Sequence, residues 1–104
     1  MARLIWTEPA LDDLDAWAEY IALNNRPAAA RLVRKVFDRV ERLERFPRSG
    51  KRVRELPRTP YREVAVAPCS IFYRVEGELV YILHVMRAER LLQRFLLDER
   101  SEET

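Results

Sequence analysis

A single cysteine, Cys69, stands in a chain of 104 residues, so no internal disulfide is possible and nothing argues for an oxidising compartment. No apolar run approaches the roughly 20 residues that cross a bilayer, which argues against a membrane protein. Ahead of the first acidic residues the N-terminus offers only Ala2, Leu4, Ile5 and Trp6 as apolar material, too little for a signal-peptide core. A cytoplasmic protein is therefore expected. Histidine is equally scarce, with His84 alone. Asp12, Asp13, Asp15 and Glu19 have neither histidine nor cysteine nearby, so they read as a solvated helix face rather than a metal or acid–base site. No metal and no cofactor is expected. The length suits one domain with a modest core.

Charge is abundant but unevenly placed. Residues 1–25 carry one arginine against five acids, residues 26–62 carry thirteen basic residues against four acids, and residues 63–104 carry five against eight, giving local net charges of −4, +9 and −3. A basic middle third between two acidic ends favours an anionic partner, either nucleic acid or an acidic protein segment.

In chain order, Arg3 to Trp6 predicts a short strand. Thr7 is placed to cap a helix with Glu8 and Pro9 in its first turn, where a missing N–H costs nothing. Leu11, Leu14, Trp17, Ala18 and Ile21 recur at helical spacing as a buried stripe. Asn24, Asn25 and Arg26 break that helix and Pro27 opens a second. Its stripe of Ala29, Leu32, Val33, Val36, Val40 and Leu43 is sustained to Phe46, before Pro47. So short a connection predicts an antiparallel helical hairpin. Arg31, Arg34, Lys35, Arg39, Arg42 and Arg45 decorate the outer face, with Asp38, Glu41 and Glu44 spaced to pair with them.

Pro47 to Pro60 reads as a connector with five basic residues, Arg48, Lys51, Arg52, Arg54 and Arg58, and one acid, Glu55. A long connector in a small domain points to function, and Lys51, Arg52 and Arg54 have too few acids for internal pairing. Val53 and Leu56 are expected to pin it to the body.

Three strands follow, bounded by Pro and Gly: Arg62 to Ala67, Ser70 to Val75, and Leu79 to Met86, with a turn at Glu76–Gly77–Glu78. Ile71, Tyr73 and Val75 alternate with Ser70, Phe72 and Arg74, which gives one apolar face and one mixed face. The third strand is apolar on both faces apart from His84, as expected of a strand covered twice. Trp17, Leu32, Val36, Phe72 and Ile82 are expected between hairpin and sheet. His84 has a side chain able to act as acid or base near neutrality, but inside an apolar run the structural role is the simpler reading. Tyr73 and Tyr81 read as core residues with hydroxyls reaching the rim. Ala88 to Leu97 predicts a short C-terminal helix, packed on its own sheet or on a partner. A single domain over 1–97 and a polar tail over 98–104 complete the layout.

WTEPALDDL, the GKRVREL loop, YREVAV and IFYRVEGELVYILHV followed by Arg87 together resemble the RelE/ParE superfamily of bacterial type II toxins. The implied fold is α+β: an N-terminal strand and a helical hairpin packed on an antiparallel sheet with a three-stranded C-terminal meander. The implied role is a toxin neutralised by a cognate acidic antitoxin in a hetero-oligomer. Of the two activities in that superfamily, ribosome-dependent cleavage of mRNA needs cationic groups and a proton acceptor about one phosphate. The positions matching that set hold Glu63, Ala65 and Ser70, and no tyrosine lies beyond Tyr81. A nuclease would be left with His84, Arg87 and Arg90. The resemblance thus implies the ParE-like activity, non-enzymatic inhibition of DNA gyrase, with cleavage of ribosome-bound mRNA as the alternative. Lys51, Arg52, Arg54, Arg58, Arg62, Arg74 and Arg87 are the candidates for contact with target or antitoxin.

Overall fold

A computed structural model describes residues 1–54 and 56–87, the last by its backbone only. Strand β1 (Arg3–Trp6) leads directly into helix α1 (Glu8–Ala22). Thr7 governs this junction from both sides: its hydroxyl oxygen accepts from the Ala10 N–H at 3.3 Å and its O–H donates to the Ile82 carbonyl at 2.7 Å. The cap satisfies an otherwise orphaned helix donor and fixes the helix against the sheet in one residue. Asn25 caps α2 (Arg26–Glu41), accepting from the Ala28 N–H at 3.0 Å. The apolar stripe of α2 continues to Leu43, but the α-helix does not reach Phe46. It tightens into a 3₁₀ turn over Arg42–Glu44, since Pro47 has no N–H to give and disfavours α geometry in the residue before it.

The sheet order is β1-β5-β4-β3-β2. Strands β3 (Tyr61–Val66), β4 (Cys69–Glu76) and β5 (Leu79–Arg87) form the expected antiparallel meander. Gly77, at φ 60°, supplies the left-handed residue of the β4–β5 turn. Strand β1 joins β5 in parallel, from Arg3 opposite Leu79 to Trp6 opposite Ile82, so the whole sheet is mixed. The connector is more ordered than a loop: Lys51–Arg52 form a short strand, β2, antiparallel to β3. A bulge interrupts β4–β5, where Phe72 faces His84 but Tyr73 faces Ile82, leaving Leu83 as the extra residue.

The main core lies between hairpin and sheet, with Leu14, Leu32, Val36, Ile71, Tyr73 and Ile82 buried and Trp17 packed at its side. Phe72 is buried as well, but on the opposite face of the sheet. There it joins Val53, Tyr61, Leu83 and Met86, with Leu56 against them. Strand alternation sends Phe72 away from Ile71 and Tyr73, so the sheet has a core on each face. Among the described residues no helix is long and apolar enough to cross a membrane. The expected C-terminal helix, the 98–104 tail and Arg90 lie outside the described residues.

Candidate target-binding surface

The basic connector is held in shape from below. The Tyr73 side chain, fully buried on β4, places its hydroxyl beneath the loop, where it accepts from the Gly50 N–H at 2.9 Å and donates to the Pro47 carbonyl at 2.8 Å. The approach is so close that a Cβ on Gly50 would lie 2.5 Å from the Tyr73 hydroxyl and 2.8 Å from the Glu63 carbonyl oxygen. Only glycine fits there. Burial pushes the Tyr73 phenol above its ordinary value, partly offset by the Gly50 N–H and the charges of Arg62 and Arg39. The hydroxyl therefore stays protonated and remains a donor.

Two arginines fasten the rest. Arg62 Nη1 donates to the Gly50 carbonyl at 2.9 Å and the Arg48 carbonyl at 3.3 Å. Arg52 Nη2 donates to the Thr59 carbonyl at 3.1 Å, and the Thr59 hydroxyl donates to the Leu56 carbonyl at 2.7 Å. Arg52 and Arg62 stand opposite one another across β2–β3, an arrangement that repels unless each guanidinium turns elsewhere. Both turn to carbonyl oxygens, which satisfy the N–H groups without cancelling the charge. Lys51 pairs with Glu63 at 3.6 Å but remains largely exposed, so the pair contributes little. Arg54 and Arg58 are exposed and form no ion pair among the described residues.

Arg74 does not belong to this group. It lies on the strand face opposite Tyr73, stacked 4.2 Å from the Tyr81 ring centroid and paired with Glu76. The side chain of Arg87 lies outside the described residues; its backbone closes β5 opposite Cys69.

His84 and Asp13 form a separate polar centre. The ring Nδ1 of His84, 8% exposed, bonds the Asp13 carboxylate, which also accepts from the Val85 N–H at 3.0 Å. Trp17 Nε1 donates to the Val85 carbonyl at 3.2 Å. Strand β1 ends opposite Ile82, and these two α1 residues, one helical turn apart, occupy the β5 edge beyond it. Asp13 is thus not on the solvated face that its acidic neighbours suggest. Its partner is 71 residues away, and the only sequence signals were an acid one turn before a stripe tryptophan and a lone histidine in an apolar strand.

Nor do the expected ion pairs along α2 form. Arg31, Lys35, Arg39 and Arg42 approach no carboxylate within 4 Å among the described residues, because the extended side chains stay solvated instead of ordering into pairs worth only a few tenths of a kcal/mol. Ala65 and Ser70 face each other across β3–β4, with Ser70 buried, so neither brings a cation to the sheet. Among the described residues no group of three or more His, Cys, Asp or Glu side chains is gathered as for a metal ion.

Residues 4–92 match a family described as the ParE toxin of the type II toxin–antitoxin system parDE. Toxin RelE2 of Caulobacter vibrioides is 35% identical over 92 residues, spanning 88% of this chain and 100% of that protein. Toxin ParE3 of the same organism is 37% identical over 90 residues, 83% and 86% of the two chains. A chain of the chromosomal ParDE toxin–antitoxin system from P. aeruginosa superposes with a TM-score of 0.72 at 30% identity, covering 86% of this chain and 98% of that one.

Proposed function

The chain belongs to the ParE toxin family of type II toxin–antitoxin systems, and we propose that it arrests growth in the cytoplasm by binding DNA gyrase, without itself cutting nucleic acid. The observation that carries this reading is the basic loop fixed by Tyr73, Gly50 and Arg62. A pre-ordered cationic surface loses little entropy on docking and suits inhibition by binding. Cleavage without a metal asks for more. It needs several cations and a proton acceptor at one phosphate, and loss of one such group costs about 10²–10³ in rate. Glu63, Ala65 and Ser70 supply none of those cations, and His84 is committed to Asp13. The partner in the cell is a cognate acidic antitoxin, which covers the basic surface in a hetero-oligomer.

Purified protein should inhibit gyrase supercoiling and leave ribosome-bound mRNA intact in primer extension. Arg54→Glu with Arg58→Glu, at exposed positions outside the loop's own hydrogen bonds, should relieve both gyrase inhibition and growth arrest while leaving the melting curve unchanged. Prompt codon-specific cuts with gyrase unaffected would reverse the reading. The similarity to Toxin RelE2 keeps that second activity, a ribosome-dependent endoribonuclease, as the specific alternative.

A further inference from the structure

Beside the loop lies a groove that the gyrase reading does not use. It runs between α2 and the end of β3. One cleft, of about 370 Å³, is lined on the helix by Lys35, Arg39, Arg42 and Asp38 and on the other side by residues 65–67. A second, of about 220 Å³, continues it toward Arg31 and Pro68; Lys35 and Ala67 line both. Arg31, Lys35 and Arg39 are spaced four residues apart, so the cations repeat about every 6 Å along the helix axis. None of them is neutralised by a carboxylate among the described residues, and Asp38 is the only acid in the lining. Strand β3 links the groove to the loop: its residues 65 and 66 line the cleft, and its Arg62 holds the loop's Gly50 carbonyl.

We infer that this groove is a binding site for the phosphate backbone of duplex DNA. Three of its four cations are arginines, whose planar forks engage phosphate oxygens in pairs. The strand wall exposes Ala65, Ala67 and Pro68. Among the described residues the lining holds no aromatic ring on which an unpaired base would stack, as single-strand sites do. Among the described residues there remains closely spaced positive charge beside the part of β3 that β2 does not cover, and such charge recognises backbone phosphates independently of sequence. The choice of DNA over an RNA duplex rests on the gyrase reading, because gyrase holds a DNA segment; the phosphate site itself does not.

The test uses the full chain, a labelled DNA duplex of about 20 base pairs and anisotropy titrations between about 50 and 200 mM salt. Lys35→Glu with Arg39→Glu should weaken binding at least tenfold and reduce the salt slope by about 2, one for each lost phosphate contact. Arg3→Glu with Arg26→Glu, at positions that line neither cleft, makes the same change in net charge and should leave the slope unchanged. Should the reversals unfold the protein, Lys35→Ala with Arg39→Ala repeats the comparison. Equal losses in groove and control variants, or no duplex binding at the lowest salt, overturn the inference. Tighter binding of a glutamate-rich peptide than of the duplex overturns it in favour of an acidic protein segment, and preference for an RNA duplex overturns the choice of DNA. Gyrase inhibition is read separately. If gyrase is unaffected while the groove variants still govern duplex affinity, the phosphate site stands and the gyrase reading falls.

Discussion

Both outer strands of the sheet stop short of the neighbours they cover, and the two exposed edges have opposite fates. Strand β1 leaves β5 uncovered beyond Ile82, and α1 closes that edge: Asp13 accepts from the Val85 N–H and Trp17 donates to its carbonyl. Strand β2 leaves β3 uncovered beyond Glu63, and no side chain of the described residues closes it. Cations from α2 stand beside it instead. A strand edge with unpaired backbone groups invites pairing with a second copy unless it is covered or charged. Among the described residues one edge is covered and the other is charged, and the charged edge is the one left open to a ligand.

The largest effect should come from the core on which both edges stand. Leu32→Ala and Ile82→Ala each remove a fully packed side chain between hairpin and sheet, so each should lower stability by about 2–5 kcal/mol in chemical denaturation. Unchanged midpoints would show that neither edge is anchored as described.

Opening the closed edge comes next. Asp13→Ala removes a carboxylate bonded to a largely buried histidine and leaves the Val85 N–H unsatisfied, at a cost of about 3 kcal/mol. Hydrogen exchange sharpens the comparison. Val85, protected in the unaltered protein, should exchange much faster in Asp13→Ala, whereas Asp13→Asn, which keeps an acceptor oxygen, should lie between. No change at Val85 would mean that α1 does not close the edge.

Beside the open edge, Tyr73→Phe deletes two hydrogen bonds to the loop but leaves the ring in the core. A loss of about 1–2 kcal/mol is expected, with proteolysis quickened between Pro47 and Pro60. Gly50→Ala should do the same to the loop by displacement, at about 1–3 kcal/mol. The sign of the pH effect follows from Tyr73. Its folded-state value lies above the ordinary 10.0, so the unfolded chain gives up its proton first as pH rises. This contribution is fully present below about pH 10 and declines as pH climbs from there toward the folded value. Tyr73→Phe should flatten that decline; an identical alkaline slope would assign it to other groups.

Smallest of all should be Lys51→Ala. The Lys51–Glu63 pair is exposed and its loss should shift stability by less than about 0.5 kcal/mol. A larger loss would mean that β2 depends on that pair and not on the backbone and arginine contacts.

Local pattern determined much of this protein. Thr7 as a helix cap, the stripes of α1 and α2, the turn at Gly77 and the three meander strands all depend on neighbours within a few residues, where periodicity and capping chemistry act. The basic loop was legible for a similar reason, as an excess of cations with few acids nearby. Tertiary structure decided the rest. A two-residue strand such as β2 has no period to recognise, and it exists because β3 offers an edge. The face taken by Phe72 became meaningful only once Val53 and Leu56 folded over the back of the sheet. The ion pairs foreseen along α2 depend on side-chain entropy and solvation, which spacing alone does not weigh. Asp13 and His84 are 71 residues apart, and no local signal can pair them. They meet because β1 ends at Trp6 and the helix that follows must bring its own polar groups to an unfinished strand.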